Sequence, residues 1–241
     1  MKNIGIITQA RMTSTRLPGK IFREAHGRPL LSYHIERLQK TGLDLAIATT
    51  LNSTDDCVSD FAAQNNLKVH RGSEENVLSR FYETATKHHF GLIVRVTSDC
   101  PLIDPHLIRN SIEKYLKINN ENLYMSNAIE RTFARGFDFE IFSFKLLEEA
   151  FLKAVDKADQ EHVTPYIWKN TSGNTEFYHI KQDTDHSSLR ITVDTPEDYE
   201  LIKILIEKYQ ADKLDYHSIE ELLIGHPELT SINADIEQKK V

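Results

Sequence analysis

The chain has 241 residues, and its 29 Lys and Arg against 36 Asp and Glu give a net charge of −7 at neutral pH. This length suits one α/β domain with a full core better than two equal domains. The acidic balance disfavours a nucleic-acid-binding protein built on a broad basic face, but a local basic pocket remains compatible with it.

Membrane insertion and secretion are not expected from the sequence. No stretch approaches the roughly 18 apolar residues that cross a bilayer, and the apolar run at residues 4–7 is too short for a secretory signal. The two cysteines, Cys57 and Cys100, form no CxxC motif, which fits a reducing compartment. We therefore expect a cytosolic protein.

Strand-like and helix-like segments alternate along the first hundred residues. β-Branched and apolar runs predict strands over residues 4–7, 45–48, 67–70 and 92–97. Apolar residues at helical spacing predict three helices between these strands, marked by Leu31, Ile35 and Leu38, by Val58, Phe61 and Ala62, and by Val77, Phe81 and Ala85. This alternation predicts a parallel sheet.

The second half of the chain is predicted to continue this α/β domain. Asp104 is expected to cap a helix that begins at Pro105 and ends near residues 119–120. The pattern then predicts a strand at 123–126, an irregular loop at 130–139, helices at 145–156 and 161–168, strands at 175–180 and 189–193, and helices at 196–209 and 219–224. Residues of about 120–180 are expected to form a small α+β lobe within a single domain, 1–241, and residues 233–241 to be loosely ordered.

Residues 9–20, here called the clamp loop, follow the first predicted strand and carry clustered cations. Arg11, Arg16 and Lys20 are interleaved with hydroxyl and amide donors, and Pro18-Gly19 predicts a turn in which the backbone approaches a ligand closely. Such a mixture of donors suits the oxygens of a triphosphate. The alternative is a solvated basic loop.

Two aspartates stand where predicted strands end. Asp99 follows the strand at 92–97, at the sheet edge where open α/β folds bind ligands. Asp194 follows the strand at 189–193, and Thr195 already supplies the cap of the next helix. Two such carboxylates are suited to hold Mg²⁺. For each aspartate the alternative is a structural cap.

Three motifs occur in order: the clamp loop, Thr-Ser-Asp-Cys-Pro-Leu-Ile-Asp at 97–104, and Thr-Val-Asp-Thr-Pro-Glu-Asp at 192–198. Together they resemble the sugar-acid cytidylyltransferases, which include the CMP-KDO and CMP-acylneuraminate synthetases, and most closely their SpsF-type branch of spore-coat polysaccharide synthesis. The resemblance implies a nucleotide-diphospho-sugar transferase fold, CTP and Mg²⁺ as reactants, and a CMP-sugar and pyrophosphate as products.

The resemblance also implies roles for individual residues. Catalysis is assigned to Arg11, Arg16, Lys20 and Asp99, and the metal to Asp99 and Asp194. Nucleotide binding is assigned to Gln9, Ala10, Arg11, Ser14, Arg16, Lys20, Arg80 and Ser98, with a solvated helix arginine as the alternative for Arg80. The KDO enzymes have a motif similar to Gln-Gly-Asp-Glu-Pro where this chain has Thr-Ser-Asp-Cys-Pro. Their sugar contacts therefore do not transfer to this chain.

The acceptor is expected to be a small acidic sugar that contacts Arg135, Asp138, Glu140 and His162. Arg135 is suited to pair with a sugar carboxylate; the alternatives are an internal salt bridge from Arg135 to Asp138 or Glu140, and a merely packed His162. Family analogy suggests a homodimer formed through the small lobe. Two other functions stay open at this point: a glycosyltransferase, and a non-catalytic nucleotide-sugar-binding subunit.

Overall fold

The computed structural model describes residues 3–237 and contains nine strands and ten α-helices within that range. The strands are β1 (Ile4–Gln9), β2 (Glu24–Ala25), β3 (Arg28–Pro29), β4 (Asp44–Thr50), β5 (Lys68–Gly72), β6 (Leu92–Thr97), β7 (Leu123–Ser126), β8 (Glu140–Ser143) and β9 (Glu176–His179). The helices are α1 (Leu30–Gln39), α2 (Asp56–Gln64), α3 (Val77–Lys87), α4 (Pro105–Ile118), α5 (Phe144–Lys153), α6 (Lys157–His162), α7 (Pro165–Trp168), α8 (Pro196–Tyr209), α9 (Tyr216–Gly225) and α10 (Pro227–Thr230).

Seven of these strands form one sheet in the order β5-β4-β1-β6-β8-β7-β9. Strands β5, β4, β1 and β6 are mutually parallel, β8 is antiparallel to both β6 and β7, and β9 is parallel to β7. The mostly parallel sheet with flanking helices agrees with the predicted fold class. Residues 120–180 supply β7, β8 and β9 to this sheet together with helices α5–α7. The homodimer formed through them stays a prediction.

The central strands of the sheet are buried on both faces because helices cover each side. Alternate residues of β1 show this arrangement: Ile6 belongs to the larger apolar cluster and Ile7 to a second cluster, and both are 0% exposed. The carboxyl ends of β1 and β6 lie side by side, since Gln9 pairs with Thr97. This register brings the clamp loop and Asp99 to one edge of the sheet.

Helix caps appear where the sequence predicted them. The Asp104 side chain accepts a hydrogen bond from the Leu107 amide at the start of α4, and Thr195 forms a capping box with Asp198 at the start of α8. Asn119, in the left-handed conformation, ends α4 as expected.

Two predicted elements are wrong. The helix predicted at 161–168 is broken at Val163, whose φ of 72° separates α6 from α7. The strand predicted at 189–193 is absent from the described structure. Its backbone instead pairs with the loop at 130–139, through the Arg135 amide to Leu189 O (2.9 Å) and the Ile191 amide to Arg135 O (2.7 Å). Gly136 allows this pairing, because a Cβ at its φ of +119° would lie 2.8 Å from the Ile191 carbonyl carbon.

The expectation for the end of the chain is wrong in part. Asn233 is 5% exposed and its amide donates to Asp198 Oδ1 at 2.8 Å, so this residue is packed against α8. Residues 238–241 lie outside the described residues. Within residues 3–237 no helix is both long and apolar enough to cross a membrane.

His34 in α1 is fully buried between β1 and the segment that follows β6. Its Nδ1 lies 2.8 Å from Cys100 O and its Nε2 lies 2.9 Å from Thr8 Oγ1. Because the carbonyl can only accept, Nδ1 carries the proton and Nε2 accepts from Thr8. Burial lowers the pKa of His34 to about 4, so the ring is neutral at pH 7.

This buried ring predicts a pH dependence of stability. Between pH 6.5 and pH 4, His34 binds a proton in the unfolded chain but not in the folded protein. The free energy of unfolding should therefore decrease as the pH is lowered, by about 3 kcal/mol at pH 4 relative to neutral pH. Urea unfolding of the wild type and His34→Gln over this range measures the contribution. The exposed His217 provides the matched control, His217→Gln. A His34→Gln protein with the same pH slope as the wild type would contradict the assignment.

Candidate functional site

The clamp loop begins at the carboxyl end of β1, in the middle of the sheet. The Ala10 amide donates to Ala48 O at 3.1 Å, which continues the strand pairing for one residue. The loop then turns back on itself, because the amides of Ser14 and Gly19 both donate to Met12 O, at 2.9 and 3.0 Å. Gly19 has a φ of 66°, the left-handed conformation that glycine adopts without strain.

A buried carboxylate, Asp55, anchors this loop from the next strand connection. It is 0% exposed, and its Oδ1 accepts from the Met12 amide at 2.7 Å while its Oδ2 accepts from Thr50 Oγ1. This role of Asp55 was not identified from sequence. No local signal pointed to it, since Met12 and Asp55 are brought together by the pairing of β1 with β4.

Lys20 lies between the two strand-end aspartates. Its Nζ is 2.8 Å from Asp99 Oδ2 and 2.8 Å from Asp194 Oδ1. Asp99 follows β6 by two residues, and the Val193 amide donates to Asp99 O at 2.8 Å. The two aspartates therefore meet through a backbone contact between loops, although the strand predicted before Asp194 does not form.

The charges of this group are mutually stabilised. Burial acts to raise the pKa of Asp99, but the Lys20 ammonium and hydrogen bonds outweigh it and hold that pKa at about 2. Burial likewise acts to lower the pKa of Lys20, and attraction to Asp99 and Asp194 raises it above its ordinary value. Asp99 and Lys20 are consequently both charged at neutral pH.

A network of hydrogen bonds and ion pairs holds the Asp194 carboxylate through the oxygen that Lys20 does not contact. Its Oδ2 accepts a hydrogen bond from Arg190 at 3.0 Å and forms an ion pair with Arg16 at 3.0 Å. Arg190 also binds both oxygens of the buried Asp198, at 2.8 and 2.9 Å, and Asn233 donates to the same carboxylate. Arg190, Asp198 and Asn233 were not identified from sequence as parts of the site.

Arg80, on the first turn of α3, is a buried cation. Its side chain is 2% exposed, and its Nε and Nη1 are buried without a hydrogen-bond partner among the described residues. Burial, followed by repulsion from Arg11, lowers the pKa of Arg80 to about 10. The alternative of a solvated helix arginine is therefore wrong. A buried guanidinium with free donors is suited to bind an anion.

These residues line a pocket of about 320 Å³ at the carboxyl edge of the sheet. Its lining includes every residue predicted to bind nucleotide, namely Gln9, Ala10, Arg11, Ser14, Arg16, Lys20, Arg80 and Ser98. Asp99, Asp194 and His162 line it as well. Sequence reasoning did not assign Thr15, Ile21, Val77, Thr97 and Glu161, which complete the lining.

The residues predicted to bind the acceptor are only partly in this pocket. His162 lines the pocket, whereas Arg135, Asp138 and Glu140 do not. Asp138 pairs with Arg131, so the internal salt bridge considered for Arg135 is not the one that forms.

Glu140 is reassigned from a substrate contact to a structural role. It is 7% exposed, and its two oxygens accept from Arg95, from Tyr124 Oη at 2.5 Å and from Thr164 Oγ1 at 2.8 Å. Because Thr164 follows the break between α6 and α7, Glu140 ties the sheet to the segment that carries His162.

The donor set fits Mg²⁺. Asp99 and Asp194 face each other across Lys20, and the Thr97 hydroxyl donates to Asp99 Oδ1, so the ligands available here are hard oxygens. Within residues 3–237 no cluster of three or more His, Cys, Asp or Glu side chains is suited to hold a metal. Proteins usually bind Mg²⁺ through one or two carboxylates, while substrate phosphate and water fill the remaining coordination positions.

Comparison with known proteins agrees with this geometry. The model of the cytidylyltransferase family matches residues 5–241. An uncharacterised protein of Methanocaldococcus jannaschii is 34% identical, covering 99% of this chain and 97% of its own. The spore coat polysaccharide biosynthesis protein SpsF of Bacillus subtilis is 33% identical, covering 86% and 88%. The structure of a cytidylyltransferase from Leptospira borgpetersenii superposes with a TM-score of 0.90 at 32% identity, over 100% of both chains.

The unpaired buried charge of Arg80 predicts opposite effects on stability and on anion binding. Arg80→Met keeps the apolar stem and removes the charge, so we expect the protein without added anion to become more stable by about 1 kcal/mol or more. Binding of inorganic tripolyphosphate should weaken by about tenfold or more. Thermal unfolding and calorimetric titration measure the two effects, with the exposed Arg109→Met as control. A less stable Arg80→Met protein with unchanged tripolyphosphate affinity would contradict this interpretation.

Proposed function

Because the chain belongs to the cytidylyltransferase family, a family of nucleotidyltransferases, we propose that it is a Mg²⁺-dependent enzyme that transfers CMP from CTP to a small acidic sugar and releases pyrophosphate. The observation that carries this proposal is the convergence of Lys20 with Asp99 and Asp194 beside the cations of the clamp loop. The SpsF relative supports a further proposal, that the product serves surface polysaccharide synthesis.

The clamp cations and Arg80 are proposed to bind and polarise the triphosphate. In the reaction a sugar hydroxyl would lose its proton to water as its oxygen forms a bond to the α-phosphorus, and the bond from that phosphorus to the bridging oxygen of the β-phosphate would break. Negative charge then grows on the departing pyrophosphate. Arg16 and Lys20 would neutralise that charge, and Arg11 and Arg80 would hold the phosphate chain, since phosphoryl transfer depends mostly on positioning and charge neutralisation.

The strand-end carboxylates are proposed to hold the metal. Mg²⁺ on Asp99 and Asp194 would supply charge neutralisation at the α-phosphate and would favour ionisation of the attacking hydroxyl. Arg190 and Arg16 fix the direction of the Asp194 carboxylate, and the Thr97 hydroxyl fixes that of Asp99. These partners should preserve the spacing of the two carboxylates during turnover.

Gln9 is proposed to contact the nucleotide. Its Oε1 is buried and has no hydrogen-bond partner among residues 3–237, and the residue lines the pocket. Buried side-chain oxygens normally accept a hydrogen bond. A donor on the nucleotide would satisfy it.

Arg135 is proposed to bind the carboxylate of the sugar. Its guanidinium is half-buried and has no ion pair within the described part of the chain, because the neighbouring Asp138 pairs with Arg131. Arginine binds carboxylates through two parallel hydrogen bonds, which also fixes the orientation of the ligand. His162 would contact the sugar from the pocket wall.

The test is Mg²⁺-dependent pyrophosphate release by the full chain with CTP, UTP, ATP or GTP and a panel of sugar acids and sugar phosphates. We expect turnover with CTP and an acidic sugar, and a loss of about 10²-fold or more in Asp99→Asn and Arg16→Ala. Asp56→Asn, at an exposed carboxylate that pairs with Arg71, should retain activity.

Three results of this assay would contradict the proposal. Turnover with another triphosphate would exclude the assigned nucleotide, and full activity of Asp99→Asn would exclude the assigned metal site. CTP binding without pyrophosphate release on any acceptor of the panel would favour a nucleotide-sugar-binding subunit.

A further inference from the structure

The position of Lys20 has a consequence for how ligands enter the pocket. Its ammonium donates to one oxygen of Asp99 and one oxygen of Asp194, at 2.8 Å each. Its side chain is only 13% exposed, so the ammonium is held inside the site rather than in solvent. The cation of Lys20 therefore lies between the two carboxylates that are proposed to hold the metal.

A divalent cation and the Lys20 ammonium compete for the same oxygens. Mg²⁺ binds carboxylate oxygens at about 2.0–2.1 Å and strongly prefers octahedral geometry. An ammonium that donates to two oxygens takes up the space between them, and two cations at such short range repel each other strongly. The two cations are consequently expected to exclude each other from this position.

The carboxylates are held in place by groups other than Lys20. Asp194 Oδ2 accepts from Arg190 and pairs with Arg16, and Asp99 Oδ1 accepts from the Thr97 hydroxyl. These contacts use the oxygens that Lys20 does not use. Movement of the flexible lysine side chain would thus leave two oriented oxygen ligands behind.

The remaining cations of the clamp loop show how Lys20 differs from its neighbours. Among residues 3–237, Arg16 forms an ion pair with Asp194 but not with Asp99, and Arg11 pairs with Glu74 at 3.4 Å rather than with either strand-end aspartate. Within residues 3–237, Lys20 is the side chain that donates to Asp99 and Asp194 together. Lys20 alone is thus in a position to respond to both the metal and the phosphate chain.

We propose that Lys20 is a built-in counter-ion of the metal site, which metal binding displaces from Asp99 and Asp194 toward the phosphates of the nucleotide. This inference rests on the proposed function. Either ligand alone must oppose the Lys20 ion pairs, whereas both together satisfy the carboxylates and the ammonium. Metal and nucleotide should therefore bind cooperatively through the protein, so that the metal–nucleotide complex is the preferred ligand.

The direct test measures Mn²⁺ binding to the full chain without nucleotide, with the concentration of free Mn²⁺ determined from its electron paramagnetic resonance signal. Lys20→Met should bind Mn²⁺ about tenfold or more tightly than the wild type, because the competing cation is gone. Arg16→Gln removes the same charge from a residue that contacts Asp194 alone, and it should raise the affinity by no more than about fivefold. The difference between the two variants isolates the bridging position from the change in net charge.

A second measurement keeps the test decisive if Lys20→Met folds poorly. Lys20→Gln retains a hydrogen-bond donor and removes the charge, so it should also bind Mn²⁺ more tightly than Arg16→Gln. Mn²⁺ should raise the melting temperature of either Lys20 variant more than that of the wild type.

Equal affinities for Mn²⁺ in the Lys20 and Arg16 variants would overturn the inference, as would an absence of Mn²⁺ binding by both Lys20 variants. Pyrophosphate release by the wild type is scored separately. If the wild type releases pyrophosphate from CTP but the Lys20 variants do not bind Mn²⁺ more tightly, only the counter-ion role is rejected. If the wild type also releases no pyrophosphate, the proposed function is rejected as well.

Discussion

One ammonium group between two carboxylates organises the site. Lys20, Asp99 and Asp194 are far apart in the sequence, and the ion pairs among them join the clamp loop, the end of β6 and the segment before α8. Each charge would be unfavourable in this part-buried position without the others. The group therefore exists only when the sheet is assembled, and the surrounding contacts of Asp55, Arg190 and Asp198 keep its three members in register.

The sequence predicted the parts of the structure that local chemistry determines. The helix caps at Asp104 and Thr195 form as expected, because a cap is made with an amide three residues away. The strand before Asp194 was wrong for the opposite reason. Residues 189–193 have strand-like side chains, but their backbone groups pair with the loop near Arg135 and with Asp99 O, and the sequence contains no signal for those distant partners. Asp194 still reaches the site, since its position depends on these loop contacts.

Several residues whose roles were missed or misassigned from the sequence act through distant partners. Asp55 anchors Met12, Asn233 supports Asp198, and Glu140 was assigned to a substrate although three internal donors use its oxygens. A charged residue beside a motif has the same local appearance whether it faces a ligand or a buried arginine. Burial and hydrogen-bond partners distinguish the two cases. Arg80 is the opposite example to Glu140, because it is buried and two of its nitrogens have no partner in the described structure.

We propose that Asp99 and Asp194 bind a metal while the clamp cations bind the phosphates of CTP. Crystals grown with CTP and Mn²⁺ would test it most directly, because the anomalous signal locates the ion without reference to a mechanism. We expect one Mn²⁺ bound by both carboxylates, phosphate oxygens on Arg16 and Arg80, and Lys20 in contact with the phosphates. Mn²⁺ bound elsewhere, with Lys20 still between the two carboxylates beside a bound CTP, would contradict it.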